Sequence, residues 1–164
     1  MFKNKHFIIA LLIAPILSII AYFGTDMAVS EKAQPAQEGA TYKLASKSNC
    51  RYTSGLCDME NGDFKVQFRS EHLGKQQLDL SLKADYPLEG VKVSLVNHPD
   101  QTAAPVDMQR SDDSAQHWTI TLPAPSSDTS RLRVAISANG TTYFGETETD
   151  FVVYQTLLDD KQRN

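Results

Sequence analysis

The sequence predicts an all-β fold class: a single antiparallel Ig-like β-sandwich of about seven strands, preceded by one N-terminal transmembrane helix. Three observations lead there. Apolar and polar residues alternate with period two in run after run from Thr41 onward, as half-buried strands require. Turn residues separate those runs. One uncharged apolar stretch, Phe7 to Phe23, stands apart at the start.

The elements follow in order. Residues 1–6 are read as a cytoplasmic end, carrying Lys3 and Lys5 and no acid. Residues 7–23 (FIIALLIAPILSIIAYF) carry no charge and fit the short end of a membrane span, roughly 17–25 residues. Pro15 falls mid-segment, where a membrane helix tolerates it. Lysines before the span and Asp26 and Glu31 after it place the N-terminus in the cytoplasm and the rest outside. The expected location is therefore a bacterial inner membrane, single-pass, with the C-terminal domain in the periplasm. The competing reading is a cleaved signal peptide, with Ala28-Val29-Ser30 as the cleavage site. No cysteine follows that site, which argues against a lipoprotein. Residues 24–40 (GTDMAVSEKAQPAQEGA) are read as a flexible linker, because they bring little to bury against the entropy of ordering them.

Residues 41–155 are read as the exported domain. The strand runs are Phe64–Phe68, Leu78–Leu82, Val91–Leu95, Trp118–Leu122 and Leu132–Ile136, with Phe151 and Val153 closing the series. Tyr42–Ala45 and Val106–Met108 are weaker candidates. Asn61-Gly62 and Asn139-Gly140 read as two-residue type I′ hairpin loops, which need positive φ at both positions. Asn139-Gly140-Thr141 also matches a glycosylation acceptor, but the hairpin explains the pair better. Residues 156–164 are read as a C-terminal tail, with a short helix allowed near Thr156–Asp160. Trp118 alternates with Ile120 and Leu122 and is expected between the sheets.

Composition removes several functions. The chain has 164 residues, a formal net charge of −4 and two cysteines. That length suits one domain plus an appendage and excludes a TIM barrel, which needs about 250 residues. Mild acidity and the lack of a Lys/Arg block argue against nucleic acid. Mean hydropathy below zero argues against a polytopic membrane protein. The sequence holds no P-loop, G-x-G-x-x-G or G-x-S-x-G. The histidines, His6, His72, His98 and His117, show no zinc spacing. No catalytic residue is assigned, and the protein is not expected to be an enzyme.

Two cysteines outside the membrane remain. Cys50 and Cys57 enclose Arg-Tyr-Thr-Ser-Gly-Leu, and an exported pair this close is expected to form a disulfide. The alternative is copper handling or thiol redox chemistry through Cys50, Cys57 and Met59, since these are soft ligands. No His-x-Met or Met-x-x-Met cluster accompanies them, so no cofactor is assigned and copper stays the alternative. Arg51 and Tyr52 on the enclosed loop are the candidate partner-binding residues, because both types are enriched in interface hot spots.

The stretch Leu78–Val153, about half the chain, resembles the FixH-like and YtkA-like proteins. The resemblance lies in Pro87-Leu88-Glu89-Gly90-Val91-Lys92-Val93-Ser94-Leu95 and in His117-Trp118-Thr119-Ile120-Thr121-Leu122-Pro123. It implies one N-terminal membrane helix with a small exported Ig-like domain. It further implies assembly of cbb3-type cytochrome oxidases and copper handling. The expected partners are the lipid bilayer, through residues 7–23, and a membrane protein complex. The segments around Cys50–Cys57 and Asn61-Gly62-Asp63-Phe64 do not belong to the family's pattern. A structural exported protein without that activity is the other reading.

Overall fold

A computed structural model describes residues 5–29 and 37–154. The chain divides into two units, residues 1–33 and 34–164. The tail over 156–164, with its allowed helix, lies outside the described residues.

In the first unit, helix α1 runs Lys5–Val29. The window Ile8–Thr25 is long and apolar enough to cross a membrane, and it lies near the N-terminus. Its large side chains, Leu12, Leu17 and Ile20 among them, are exposed within this unit. Ser18 and Thr25 turn their hydroxyls back to the carbonyls of Ala14 and Ala21, at 2.9 and 2.8 Å, which hides their polar atoms. The helix passes the predicted end at Phe23 by six residues.

The second unit is a sandwich of two sheets. The strands are β1 (Thr41–Lys43), β2 (Ala45–Ser46), β3 (Leu56–Asn61), β4 (Phe64–Leu73), β5 (Gln77–Ala84), β6 (Gly90–Val96), β7 (Val106–Asp107), β8 (Gln109–Arg110), β9 (His117–Pro123), β10 (Arg131–Ala138) and β11 (Thr141–Glu148). One sheet has the order β1-β11-β10-β6-β7 and the other β2-β3-β4-β5-β9-β8. The pairings are antiparallel except β1 with β11, which is parallel. Among the described residues, seven strands have six or more residues and four have two or three.

The predicted alternation is what fills the space between the sheets. Phe64, Val66 and Phe68 face inward from β4, and Leu78, Leu80 and Leu82 from β5. Val91 and Val93 come from β6, and Leu132, Val134 and Ile136 from β10. Trp118 is buried opposite Leu82, its indole N–H donating to the carbonyl of Ala115 at 3.0 Å. Arg110, on the edge strand β8, lies over that indole ring, 5.4 Å from its centre. At one end Phe64 stacks on Tyr143, with centroids 3.8 Å apart, and Tyr42 leans on Tyr143.

Several expectations need correction. Two long strands, β3 and β11, were not predicted. The segments predicted as the single strands Tyr42–Ala45 and Val106–Met108 each split in two. Each crosses from one sheet to the other at a buried residue, Leu44 or Met108. The segment with Phe151 and Val153 is not a strand. It is a 3₁₀ turn, Asp150–Val152, that pushes Phe151 and Val152 into the core. Asn139-Gly140 forms the predicted loop, with both φ values positive (49° and 68°) and Ala138 pairing with Thr141. The other hairpin is shifted by one residue. Asn61 pairs with Phe64, so the loop is Gly62-Asp63 with positive φ at Gly62 only, as a type II′ turn needs. Asn61 instead donates through its side chain to the Lys43 carbonyl at 2.8 Å.

The linker expected over 24–40 is narrower than that. The helix holds residues 24–29, and Gln37–Ala40 are bound to the sandwich. Gly39 N–H donates to the Gly140 carbonyl at 2.9 Å, and the Thr141 hydroxyl donates to the Gln37 carbonyl at 3.1 Å. Residues 30–36 lie outside the described residues.

Candidate functional site

The two cysteines are joined, with sulfurs 2.06 Å apart. Cys50 sits in a 3₁₀ turn, Ser48–Arg51, and Cys57 on β3; both are fully buried. The bond therefore fastens the turn to the face of β3 that looks into the core.

Polar contacts fix the rest of the loop. The Asn49 side chain donates to Asp58 Oδ2 at 2.8 Å and accepts from the Asp58 backbone N–H at 3.2 Å. Ser54 Oγ accepts from the Leu56 N–H at 3.2 Å and lies 2.9 Å from the Asn49 carbonyl. Gly55 accepts from the Ser70 N–H at 2.9 Å. It holds φ at +74°, and the Tyr154 ring lies against it, 3.1 Å from where a Cβ would stand. The positive φ favours glycine, and a Cβ would press on the ring. Tyr154 is held in turn by a β-bridge to Ser54.

On this fixed base, Arg51 and Tyr52 point outward as predicted. Tyr52 and Tyr154 are each 66% exposed. Arg51 borders a cleft of about 150 Å³ with Ser46, Arg131, Glu146, Thr147 and Glu148. The other charges there are spoken for: Arg131 pairs with Glu148 at 3.4 Å, and Glu146 with Arg133 at 2.6 Å. Arg51 has no ion-pair partner among the described residues. The loop thus offers one free guanidinium and one exposed ring on a rigid mount, with Tyr154 on the neighbouring segment. Tyr154 escaped the sequence reading because its link to the loop spans a hundred residues. Its sole trace was an aromatic after the last alternating run.

The copper alternative fares differently. The disulfide takes both thiols, leaving no thiolate at Cys50 or Cys57. Met59 is 1% exposed, with its methyl against Gly145 on the facing sheet. The three residues do not converge on a common open point. Among the described residues, no group of three His, Cys, Asp or Glu side chains is placed to hold a metal.

The histidines of the domain are surface residues. His98 Nδ1 is 3.0 Å from Thr129 Oγ1, and His117 Nδ1 is 2.7 Å from Asp112 Oδ2. Hydrogen bonds from Ser114 and then His117 hold the Asp112 carboxyl below its ordinary range. The His6 side chain lies outside the described residues.

No protein-family model matches the chain, and no curated protein matches it. Among solved structures, the chain is similar to one titled "Crystal structure of Br derivative BhCBM56". The TM-score is 0.41 at 12% identity, over 55% of this chain and 92% of that one.

Proposed function

We propose that this protein is a membrane-tethered periplasmic interaction module, an accessory or assembly factor for a membrane complex. The α1 helix supports the tether, as an uncleaved single-pass anchor in a bacterial inner membrane with its N-terminus in the cytoplasm. The observation that carries the binding half is the rigid loop. A disulfide and five hydrogen bonds hold Arg51 and Tyr52 outward, so little side-chain and loop entropy is lost on docking. Arg and Tyr are the residue types that anchor interfaces. The resemblance of Leu78–Val153 to FixH-like proteins makes a cytochrome oxidase the specific complex to test. The role is one of binding rather than catalysis.

Affinity capture of the full chain from solubilised membranes tests this. The expected result is a reproducible membrane-complex partner. The Arg51→Ala/Tyr52→Ala chain should lose it at least about tenfold, as hot-spot truncation does, with an unchanged unfolding midpoint. Undiminished capture by that variant refutes the loop, and no reproducible partner refutes the module.

A further inference from the structure

The outward face of the six-stranded sheet holds a second depression, of about 280 Å³. It lies over β3, β4 and β5, and its floor is main chain, because Met59 and Val66 turn their side chains into the core. We propose that it binds an uncharged, polyhydroxylated ligand, a glycan.

Charge is the first argument. The lining carries three ammonium groups, Lys47, Lys65 and Lys83, and three carboxylates, Asp58, Glu60 and Asp85. The formal sum is zero, so neither an anion nor a cation gains from the site as a whole. No aromatic side chain lines it, and its two apolar residues, Met59 and Val66, are buried and offer an apolar ligand almost no surface. What remains is a ligand that needs donors and acceptors together, at fixed places.

The lining divides into a fixed half and a free half. Asp58 accepts from Asn49 at one oxygen and from Gln67 at the other, at 2.8 and 2.7 Å. Lys47 pairs with Glu60 at 2.8 Å. These contacts set one wall in place before any ligand arrives. Beyond it, on β4 and at the end of β5, Lys65, Lys83 and Asp85 have no side-chain partner among the described residues. Lys83 stands beside Gln67 in the β4–β5 register, so an ammonium donor and an amide carbonyl acceptor are neighbours. Hydrogen bonds from charged groups to hydroxyls are stronger than neutral ones, and a sugar presents hydroxyls that both donate and accept. The volume falls just under the usual ligand-pocket range of about 300–1,000 Å³, which suits sugar rings and weak binding.

The test is an amide-shift titration of the ¹⁵N-labelled full chain in a detergent without a sugar headgroup. The probes are cellohexaose, laminarihexaose and chitohexaose. At least one should give saturable shifts at residues 58–60, 65–67 and 83–85, with a Kd of about 1 mM. Raising NaCl from about 50 to about 500 mM should leave that Kd within about twofold, because the ligand is neutral. Lys83→Ala/Asp85→Ala should weaken binding at least about fivefold, since each lost hydrogen bond to a charged group counts. Neither side chain holds a fold contact, and the backbone bonds of Lys83 and Asp85 survive the substitution, so the unfolding midpoint should not move. Four results overturn the proposal: no saturable shift with any of the three probes, shifts centred on Arg51–Leu56, affinity unchanged in the variant, or a steeply salt-sensitive site that takes inorganic phosphate instead.

Discussion

Reducing the Cys50–Cys57 bond without deleting its sulfurs separates cross-linking from packing. The bond closes a loop with a sequence separation of seven. In the chain-entropy model a loop of about eight residues restricts the unfolded chain by about 8 cal/mol/K, or about 2.5 kcal/mol at 25 °C. A domain of about 120 residues unfolds with an entropy near 250 cal/mol/K, so 1 kcal/mol is about 4 °C in Tm. The reduced wild-type chain should therefore melt about 10 °C below the oxidised one. Cys50→Ala/Cys57→Ala should fall further, by about 1 kcal/mol for each sulfur removed from a fully buried site. The assay is thermal and urea unfolding of oxidised, reduced and double-alanine full-length protein in the same detergent. Equal midpoints for the oxidised and reduced chains would refute the cross-link reasoning. Equal midpoints for the reduced and alanine chains would refute the packing reasoning.

Three further outcomes follow from the packing and the charges. Gly145→Ala should cost about 1–3 kcal/mol, because the new methyl would stand 2.5 Å from Met59 Cε and 3.1 Å from Leu44 Cβ. Adding Met59→Ala relieves the closer clash, so the double variant should lose less than the sum in urea unfolding. Leu44→Ala and Met108→Ala should each cost about 2–5 kcal/mol, since both side chains are buried where the chain changes sheet. Hydrogen exchange should then rise first at β3 and β11 for Leu44, and at β6 and β9 for Met108. Asp79 accepts from Thr121 and Gln77, which lower its pKa below the ordinary 3.8. A depressed carboxylate stabilises the fold above its unfolded pKa and loses that contribution as pH falls through its folded pKa. Asp79→Asn should therefore flatten the acid limb of a Tm-against-pH curve below about pH 4. An acid limb as steep as that of wild type would refute this.

The sequence was most legible where the inward residues are aliphatic. The β5 and β10 strands present Leu78, Leu80, Leu82 and Leu132, Val134, Ile136, and period two reveals them directly. The β11 strand was hidden because its inward positions are Thr141, Tyr143, Gly145 and Thr147. They are small or polar because Met59 and Leu44 of the facing layer fill the space above Gly145. That complementarity belongs to the pair of sheets and not to either strand. The β3 strand was hidden for a related reason, since its inward residues, Cys57 and Met59, read as a disulfide partner and an alternative soft ligand rather than as core. The disulfide that carries the Arg51–Tyr52 loop was legible from the cysteine spacing. Tyr154 was not, because its seat on Gly55 exists only after the termini of the domain meet.

The topology narrows how such a domain engages anything else. An open sandwich has four edges, each a row of unpaired backbone groups on which another strand can add. Here the edges are β1 and β7 in one sheet and β2 and β8 in the other. None exceeds three residues. Moreover β1 and β2 are one segment crossing on one side of the sandwich, and β7 and β8 are one segment crossing on the other. Each crossing also ties its sheet by a backbone bond: Leu44 N–H to the Phe144 carbonyl at 2.7 Å, and Met108 N–H to the Val91 carbonyl at 2.9 Å. Each crossing caps part of an edge and shortens the run of unpaired backbone open to edge-to-edge aggregation. It also limits strand addition to the short stretches of β6, β9 and β11 beyond those pairings. The loops and the two outer sheet faces offer the larger surfaces for recognition. The disulfide loop and the polar depression over β3, β4 and β5 are a loop and a face of that kind.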